Sequence, residues 1–349
     1  MTPKVRRPVW TVAATALAAG VLVPAVASGA SPSRSSGAAA SPVRVAFLIA
    51  TTSAGYPRGI LQAAKLAAKR NNVSLTVFDA QFNPQKQFAQ CQDAISSGRF
   101  DAIVTLPASS PAMVPCARLA AAKHIPLIST DTPIGSDLRS GKPSVPGVTA
   151  QVLVPAITAF ASLKGSVLSA CKQMGGGSSC HVGFIIGIKV LALSTPASGL
   201  LQQWVKQSGG VYVGEGEGGY QRGGGLKVMQ TLLQKDPGLN VLVSLSDDMA
   251  LGAEIAMKAV SKTPGQDVLV ITQGGSYPGV ARLRAGTWFA TSVASAESEG
   301  RVPIELAVKA VAGKKVPSYV NSSTATGIPQ VINKAVLAKY PKFKGTFPA

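Results

Sequence analysis

Short apolar runs rich in β-branched residues alternate with helical stretches along almost the whole chain from Val43 onward. Strands that are apolar at successive positions are typical of a parallel sheet covered by helices on both faces. Parallel strands need a crossover connection between them, and such crossovers are right-handed. The predicted strands of the first half cover residues 43–52, 73–79, 100–106 and 125–130.

A stretch rich in Gly, Pro and Ser at 135–147 interrupts this alternation and marks a domain boundary. A second alternation follows, and it begins with a long predicted helix over about 152–172. The length of 349 residues is also typical of two domains. We therefore predict two α/β halves of similar size. The predicted strands of the second half cover 181–187, 210–214, 240–245, 267–272 and 288–294, with a last strand and helix near 326–340.

Residues 1–27 have the pattern of a secretory signal peptide. A positively charged segment precedes an apolar one, and Ala25-Val26-Ala27 fits a small-x-small cleavage site. The alternative, a transmembrane anchor, is weaker because the apolar run is short and lacks a stop-transfer flank. Residues 28–42 are rich in Ser, Gly and Ala and predict a flexible linker. We expect an exported protein of the periplasm or of the extracellular or cell-wall space, not lipid-anchored, because no cysteine lies at the cleavage region.

Export changes the expected chemistry of the four cysteines, which should be oxidised. Cys171 and Cys180 flank a short Gly- and Ser-rich loop that a disulfide could close. Cys91 and Cys116 lie on the inward faces of two predicted helices, which suits a second pair. The alternative of four buried free thiols stays open. Cys180 and His181 could also ligate zinc, but no other strong ligands accompany them.

The composition argues against several classes of function. The formal net charge is +19, but the basic residues are scattered and aromatic residues do not interleave with them. We therefore expect no nucleic-acid partner. A solvated basic surface explains the charge, with attraction to an anionic cell-wall polymer or to an acidic ligand as the alternative. Only two His and 15 Asp plus Glu occur, so we expect no metal centre. We also expect no cofactor, because the chain has no P-loop pattern and no complete dinucleotide fingerprint.

Catalytic and cofactor-binding patterns occur only outside their required context. Gly214, Gly216 and Gly219 match the spacing of a dinucleotide fingerprint, but no acidic residue follows at the required strand end. A Ser-His-Asp triad would need His124 or His181 as its base, and both lie away from the carboxyl ends of the predicted strands. We therefore expect a protein that is not an enzyme.

Polar side chains cluster where the predicted strands end. Ligands of parallel α/β sheets bind outside the carboxyl ends of the strands. Hydroxyls, amides, carboxylates and two tyrosines at these ends suit a polar ligand whose apolar side is covered by an aromatic ring. The alternative is that they are turn and N-cap residues. The candidate ligand-binding residues are Ser53, Tyr56, Ser109, Asp131, Thr132, Ser194, Tyr220, Ser246, Asp247 and Gln273.

Several longer segments carry a resemblance to one family. They include VFDAQFNPQKQFAQCQDAI at 77–95, IPLISTDTP at 125–133 and SDDMALGAEIAMKAV at 246–260. On these segments the chain resembles the type I periplasmic solute-binding proteins of ribose/galactose-type sugar ABC transporters, over about Val43 to Tyr340. The resemblance implies an α/β fold with two Rossmann-like lobes of the Venus-flytrap type, joined by a three-crossing hinge.

The resemblance also implies where the lobes begin and end. The helices that carry Cys91 and Cys116 would lie on the same face of one sheet, which supports that disulfide. The implied N-terminal lobe comprises 43–148 plus 295–324, and the implied C-terminal lobe comprises 149–294 plus 325–349. The implied crossings between the lobes lie near 148–151, 294–297 and 322–327.

The match at the family's sugar-binding positions is partial. Tyr56, Asp131 and Tyr220 match it, whereas Thr132 stands in place of an arginine. The arginine that reaches the sugar from the second lobe has no counterpart in 194–198. A site built for sugar hydroxyls loses affinity when its polar partners are missing. The departures therefore favour a ligand other than a ribose-like pentose: another sugar, a less polar solute or an anionic one.

The family's function is then the expected one. The chain would capture a small molecule in the cleft between its lobes and deliver it, as a monomer, to an ABC transporter permease in the membrane. A sensory module that presents its ligand to a membrane receptor is one alternative. A secreted enzyme on the same scaffold is another, but His and Glu are scarce at the strand ends.

Overall fold

The structure, a computed structural model, describes residues 41–189 and 193–349. The predicted signal peptide at 1–27 lies outside these residues, as does the predicted linker except for Ser41 and Pro42. The strands are β1 (Val43–Ile49), β2 (Val73–Asp79), β3 (Ala102–Leu106), β4 (Leu127–Thr130), β5 (Ala150–Leu153), β6 (His181–Ile186), β7 (Val211–Glu217), β8 (Val241–Ser244), β9 (Leu269–Gly274), β10 (Ala290–Val293), β11 (Tyr319–Asn321) and β12 (Val331–Ile332).

Helices connect the strands, and several begin at the residue types that the sequence favours. Asn83 caps one helix by accepting a hydrogen bond from the Lys86 backbone N–H at 2.9 Å, and Pro84 occupies the first helical position. The α-helices are α1 (Gly55–Arg70), α2 (Pro84–Ser96), α3 (Val114–Ala122), α4 (Ala156–Ala161), α5 (Lys164–Gln173), α6 (Ser194–Ser208), α7 (Arg222–Lys235), α8 (Asp247–Ala259), α9 (Tyr277–Ala285), α10 (Ala296–Val311) and α11 (Lys334–Ala338).

The strands form two six-stranded sheets. The first has the order β11-β5-β4-β3-β1-β2, and all its strands are parallel. The second has the order β12-β10-β9-β8-β6-β7, in which only β12 is antiparallel to its neighbour. We call the first sheet with α1, α2, α3 and α10 the first lobe. The second sheet with α4–α9 and α11 is the second lobe.

Strand β1 shows why the apolar runs are continuous. Val45, Phe47 and Ile49 pack on the side of α1 and α10, whereas Ala46 and Leu48 pack on the side of α2 and α3. Successive side chains of a strand point to opposite faces, so a sheet that is covered on both faces buries every one of them. The predicted α/β class with two lobes is confirmed.

The chain passes between the sheets after β5, after β10 and after β11, which confirms three crossings. The first crossing lies after Leu153, a few residues later than expected, because β5 pairs with β4 and β11 in the first sheet. The single long helix expected over 152–172 is wrong. The start of that segment is strand, and Pro155 disfavours helical backbone at the residue before it. Strand β11 was also not predicted, because it is short and half-buried at a sheet edge.

Both pairings of the cysteines suggested by the sequence are present. Cys91 of α2 is bonded to Cys116 of α3, and Cys171 of α5 is bonded to Cys180 just before β6. The first bond joins two helices that lie on the same face of the first sheet. Its position agrees with the arrangement that the family resemblance implied.

Within the two described ranges, the helices are too short or too polar for any of them to cross a membrane.

Candidate functional site

A cavity of about 180 Å³ lies between the carboxyl ends of the strands of both sheets. The first lobe contributes Ala50 after β1, Ser109 after β3 and Asp131 after β4. The second lobe contributes residues at or just after the carboxyl ends of β8, β9 and β10. The position is the one that parallel α/β sheets use for ligands, because the loops after the strands leave a crevice there.

Eight of the ten predicted ligand-binding residues line this cavity. Ser53 does not: it lies at the rim, where its Oγ accepts a hydrogen bond from Gln221 Nε2 of the second lobe at 3.4 Å. The residues that line the cavity are Tyr56, Ser109, Asp131, Thr132, Tyr220, Ser246, Asp247 and Gln273.

Ser194 is the other predicted residue outside the cavity. The sequence placed it at a strand end, but β6 ends at Ile186 and Ser194 begins helix α6. Its side chain is buried, and its Oγ donates a hydrogen bond to the Ile188 carbonyl at 2.9 Å. The Ser194 hydroxyl therefore stabilises the loop before α6 by a hydrogen bond to the backbone of its own lobe.

Asp131 and Glu299 form the acidic part of the site in the first lobe. Burial raises the pKa of Asp131 to about 6, although a hydrogen bond donated by Thr132 Oγ1 at 3.1 Å favours the charged form. Burial also raises the pKa of Glu299, and the nearby charge of Asp131 raises it further. The two carboxylates therefore compete for ionisation.

Glu299 was missed by the sequence prediction. It lies in the first turn of α10, where an acidic residue is already explained by the helix dipole. It is nevertheless only 3% exposed. Its carboxylate accepts a hydrogen bond from Tyr56 Oη at 2.6 Å and another from Ser322 Oγ at 2.6 Å. Burial and the Glu299 charge raise the pKa of Tyr56, so the phenol stays a donor.

Asp247 holds a loop of the second lobe. One carboxylate oxygen, Oδ2, accepts hydrogen bonds from Ser276 N and Ser276 Oγ at 2.7 Å each and from Gly275 N at 3.0 Å. A Cβ at Gly274 or Gly279 would collide with this carboxylate, which explains the glycines at both positions. Ser246 caps α8, with Oγ accepting from Met249 N at 3.2 Å. Ser246 therefore both lines the cavity and caps a helix, so the two alternatives that the sequence offered apply together to this residue.

Aromatic rings from both lobes surround the cavity. Phe82 of the first lobe stacks on Tyr220 of the second, with ring centroids 6.0 Å apart and planes inclined by 25°. Tyr56 meets Phe347 edge to face at 5.0 Å. The sequence analysis missed both Phe82, which lies three residues after β2, and Phe347, which lies in the terminal segment far from any strand end.

Three lining residues have a left-handed backbone: Phe82 at φ +57°, Asp131 at +59° and Tyr220 at +58°. This conformation is uncommon for residues other than glycine and costs about 1–3 kcal/mol each. Strain of this kind persists where the surrounding structure holds a side chain in a required direction. Here it turns two rings and one carboxylate toward the same cavity.

The charges of the cavity are all negative. Among its described lining residues are the carboxylates Asp131, Asp247, Asp248 and Glu299, and no Lys, Arg or His. Asp248 lies 3.5 Å from Arg222 Nε at the rim and accepts a hydrogen bond from Gly55 N of the first lobe at 3.1 Å. The ionised carboxylates repel an anionic ligand, one of the solutes that the sequence favoured, and the described lining residues offer it no cation.

The described residues also contain no group of three or more His, Cys, Asp or Glu side chains placed to hold a metal ion. The polar side chains of the cavity are carboxylates, tyrosine phenols, Ser and Thr hydroxyls and the Gln273 amide. Gln273 Oε1 is buried without a hydrogen-bond partner in the described parts of the chain. Such a set can receive hydroxyl donors from a ligand.

Comparison with known proteins agrees with this geometry. The family model for the periplasmic binding protein domain matches residues 45–151 and 169–315, which together are more than half of the chain. The chain belongs to the periplasmic binding protein family.

Two kinds of relatives of this family illustrate the match. The ribose import binding protein RbsB of Bacillus subtilis (strain 168) is 26% identical over 255 residues, which cover 73% of this chain and 77% of that protein. A crystal structure from Mycobacterium smegmatis in complex with β-D-fucofuranose has a TM-score of 0.73 at 21% identity and covers 86% of this chain and 94% of that one. An ABC transporter solute-binding protein from Mycobacterium smegmatis with bound glycerol also has a TM-score of 0.73, at 24% identity, over 88% of this chain and 99% of that one.

Membership of the periplasmic binding protein family confirms the resemblance inferred from the sequence segments. The two solved structures share the fold with this chain. The relatives reported above are named as binding proteins and not as enzymes.

Proposed function

We propose that the chain is an exported binding protein that captures a small sugar or sugar-like molecule between its lobes and delivers it to an ABC transporter permease. The observation that carries this proposal is the interlobe cavity, with Tyr56, Asp131 and Glu299 on one side and Tyr220 and Asp247 on the other. Hydroxyl groups of a sugar can donate hydrogen bonds to the carboxylates, and a tyrosine ring can cover its apolar side. Relatives named for ribose import and a neighbour holding β-D-fucofuranose support the sugar class.

The mechanism follows from the position of the ligand between two lobes. A ligand that contacts both lobes only when the cleft is closed shifts the equilibrium toward the closed form. A dissociation constant in the micromolar range corresponds to about 8 kcal/mol, which is enough for such a shift. The closed form would then be the one that docks on the permease, and the protein would act as a monomer without a lipid anchor.

The first test measures binding of a panel of pure sugars to the purified chain by thermal shift and calorimetry. The panel contains D-ribose, L-arabinose, D-fucose and D-galactose, with glycerol as a small polyol. We expect at least one sugar to bind at micromolar concentration. Tyr56→Ala and Asp131→Ala should each weaken that binding by about tenfold or more, because each removes a contact of the cavity.

The exposed residue Asp93 on α2 provides the control, since Asp93→Ala should leave affinity unchanged. If the folded wild type binds none of the sugars, the sugar class is wrong. If a sugar binds and both cavity variants retain full affinity, the ligand lies elsewhere.

A further inference from the structure

The last residues of the chain follow a path that the sequence did not predict. Thr346 N donates a hydrogen bond to the Gly275 carbonyl at 2.9 Å, and Thr346 Oγ1 donates to the Ala294 carbonyl at 2.5 Å. The next carbonyl, that of Phe347, accepts from Tyr277 N at 2.9 Å. The backbone of this segment is therefore fastened to the loops after β9 and β10, which belong to the second lobe.

The side chain of Phe347 belongs to the other lobe. It is 3% exposed and lies in the apolar core that contains Ile60 of α1 and Ala296 of α10. Its Cβ lies so close to Gly59 of α1 that a methyl group at position 59 would stand 2.6 Å from it. Glycine at this position is what lets the ring enter. One residue thus has its backbone on the second lobe and its ring inside the first.

The ring also reaches the cavity. Phe347 is one of the residues that line it, and its ring meets Tyr56 edge to face with centroids 5.0 Å apart. The same Tyr56 donates its hydroxyl hydrogen to Glu299. Edge-to-face packing fixes the orientation of a ring, so Phe347 holds the phenol where it bonds this carboxylate.

We propose that Phe347 is a specificity-determining residue of the binding cavity, which forms its apolar wall beside Tyr56 and joins the two lobes in the closed form. This inference rests on the proposed function, since it assigns a wall of the same site. The wall gives the cavity an apolar face beside Tyr56, where Phe347 offers no hydrogen-bonding group to a ligand. It therefore favours a ligand that presents an apolar edge there, such as a methyl group or a ring hydrogen, over one that presents a hydroxyl.

A matched series of sugars tests the wall. L-arabinose, D-fucose and D-galactose share the configuration of their ring hydroxyls and differ by a hydrogen, a methyl or a hydroxymethyl group at one carbon. Shortening Phe347 to alanine removes the wall and opens space beside Tyr56. We expect Phe347→Ala to weaken the tightest-binding member by about tenfold or more and to change the ratio of affinities within the series by at least about fivefold.

The same segment offers a matched control. Phe343 packs on the core of the second lobe and, among the described core clusters, on no other, and its carbonyl accepts from Arg284 Nη2 at 2.7 Å. Phe343→Ala also removes a ring from this segment, but it should leave the affinity ratios unchanged. Loss of packing alone would lower the stability of both variants without changing the ratios. If Phe347→Ala does not fold, Phe347→Leu, which keeps an apolar side chain of different shape, is measured in its place.

Small-angle scattering of the ligand-free proteins gives a second readout. We expect a larger radius of gyration for Phe347→Ala than for wild type and Phe343→Ala, because the link between the lobes is lost. Unchanged affinities and ratios in Phe347→Ala overturn the proposal even though sugar binding stands. If the wild type binds none of the three sugars, the proposed function fails for this series, and scattering alone tests whether Phe347 links the lobes. A larger radius of gyration for Phe347→Ala then supports the link. An unchanged radius of gyration overturns it.

Discussion

Asp131 illustrates what the fold imposes on one side chain. It follows strand β4, has a left-handed backbone and faces a cavity whose other charges are carboxylates. Water cannot solvate it as it does in the unfolded chain, so the native state retains the proton to higher pH. The site thus contains an ionisable group whose charge lowers the stability of the ligand-free protein.

The consequence is a stability difference that depends on pH. The pKa of Asp131 in the fold is about 6, above the ordinary value of 3.8. Protonation of Asp131 in the native state contributes stability that is fully present at pH values below 3.8. This contribution is lost as the pH rises through about 6. Asp131→Asn cannot ionise, and asparagine tolerates left-handed backbone. We expect this variant to exceed wild type by about 1–3 kcal/mol in free energy of unfolding at pH 7.5, and to match it near pH 3.

Urea unfolding of ligand-free protein at the two pH values measures this effect. Asp93→Asn, on the exposed face of α2, serves as the control and should show no such difference. Equal stabilities of Asp131→Asn and wild type at pH 7.5 would contradict the proposed burial of the charge.

Helices α2 and α3 are the elements for which the sequence and the structure agree most closely. Each has one buried cysteine on the face toward the first sheet, and these cysteines are bonded to one another. The bond closes a loop of 25 residues, whereas the bond in the second lobe closes one of 9 residues. The longer loop loses more freedom when the unfolded chain is cross-linked.

Removing the two disulfides should therefore cost different amounts. We expect the pair Cys91→Ala and Cys116→Ala to lower the free energy of unfolding by about 3–4 kcal/mol, and the pair Cys171→Ala and Cys180→Ala by about 2–3 kcal/mol. Denaturant unfolding of both double variants under identical conditions measures the difference. A larger loss from the 9-residue loop would contradict the loop-entropy explanation.

At the scale of the whole molecule, contacts across the cleft decide how open the ligand-free protein is. Asp248 of the second lobe accepts from Gly55 N of the first, and Phe82 stacks on Tyr220 across the same opening. Each of these contacts exists only while the lobes are together. They stabilise the form that binds ligand, independently of the ligand itself.

Removing the Asp248 contact should shift the population toward the open form. One lost hydrogen bond to a charged group is worth about 1.5–3 kcal/mol, so we expect Asp248→Ala to weaken apparent ligand affinity by about tenfold or more and to enlarge the ligand-free radius of gyration. Calorimetry with the best-binding sugar of the panel and small-angle scattering measure these two effects. Asp93→Ala is the control, and an unchanged radius together with unchanged affinity would show that Asp248 does not hold the cleft.

Much of this molecule could be predicted from its sequence. The alternation of apolar runs and helices predicts two sheets built mainly of parallel strands, because a strand covered on both faces must be apolar throughout. The same alternation locates the strand ends, and parallel topology collects those ends at one edge of each sheet. That is why Tyr56, Asp131, Tyr220 and Asp247 could be named as candidates before the structure was known. Their roles as ligand contacts remain predictions.

Other features were decided only by tertiary structure. Glu299 and Tyr56 are hydrogen-bonded although 243 residues separate them in the chain. Phe347 reaches the same place from the far end of the sequence, through a backbone that belongs to the opposite lobe. A glutamate in the first turn of a helix and a phenylalanine in a terminal segment have ordinary local explanations. Only the packing of the two lobes brings them to the cavity, because burial and contact depend on what lies opposite in space, and periodicity along the chain does not contain that information.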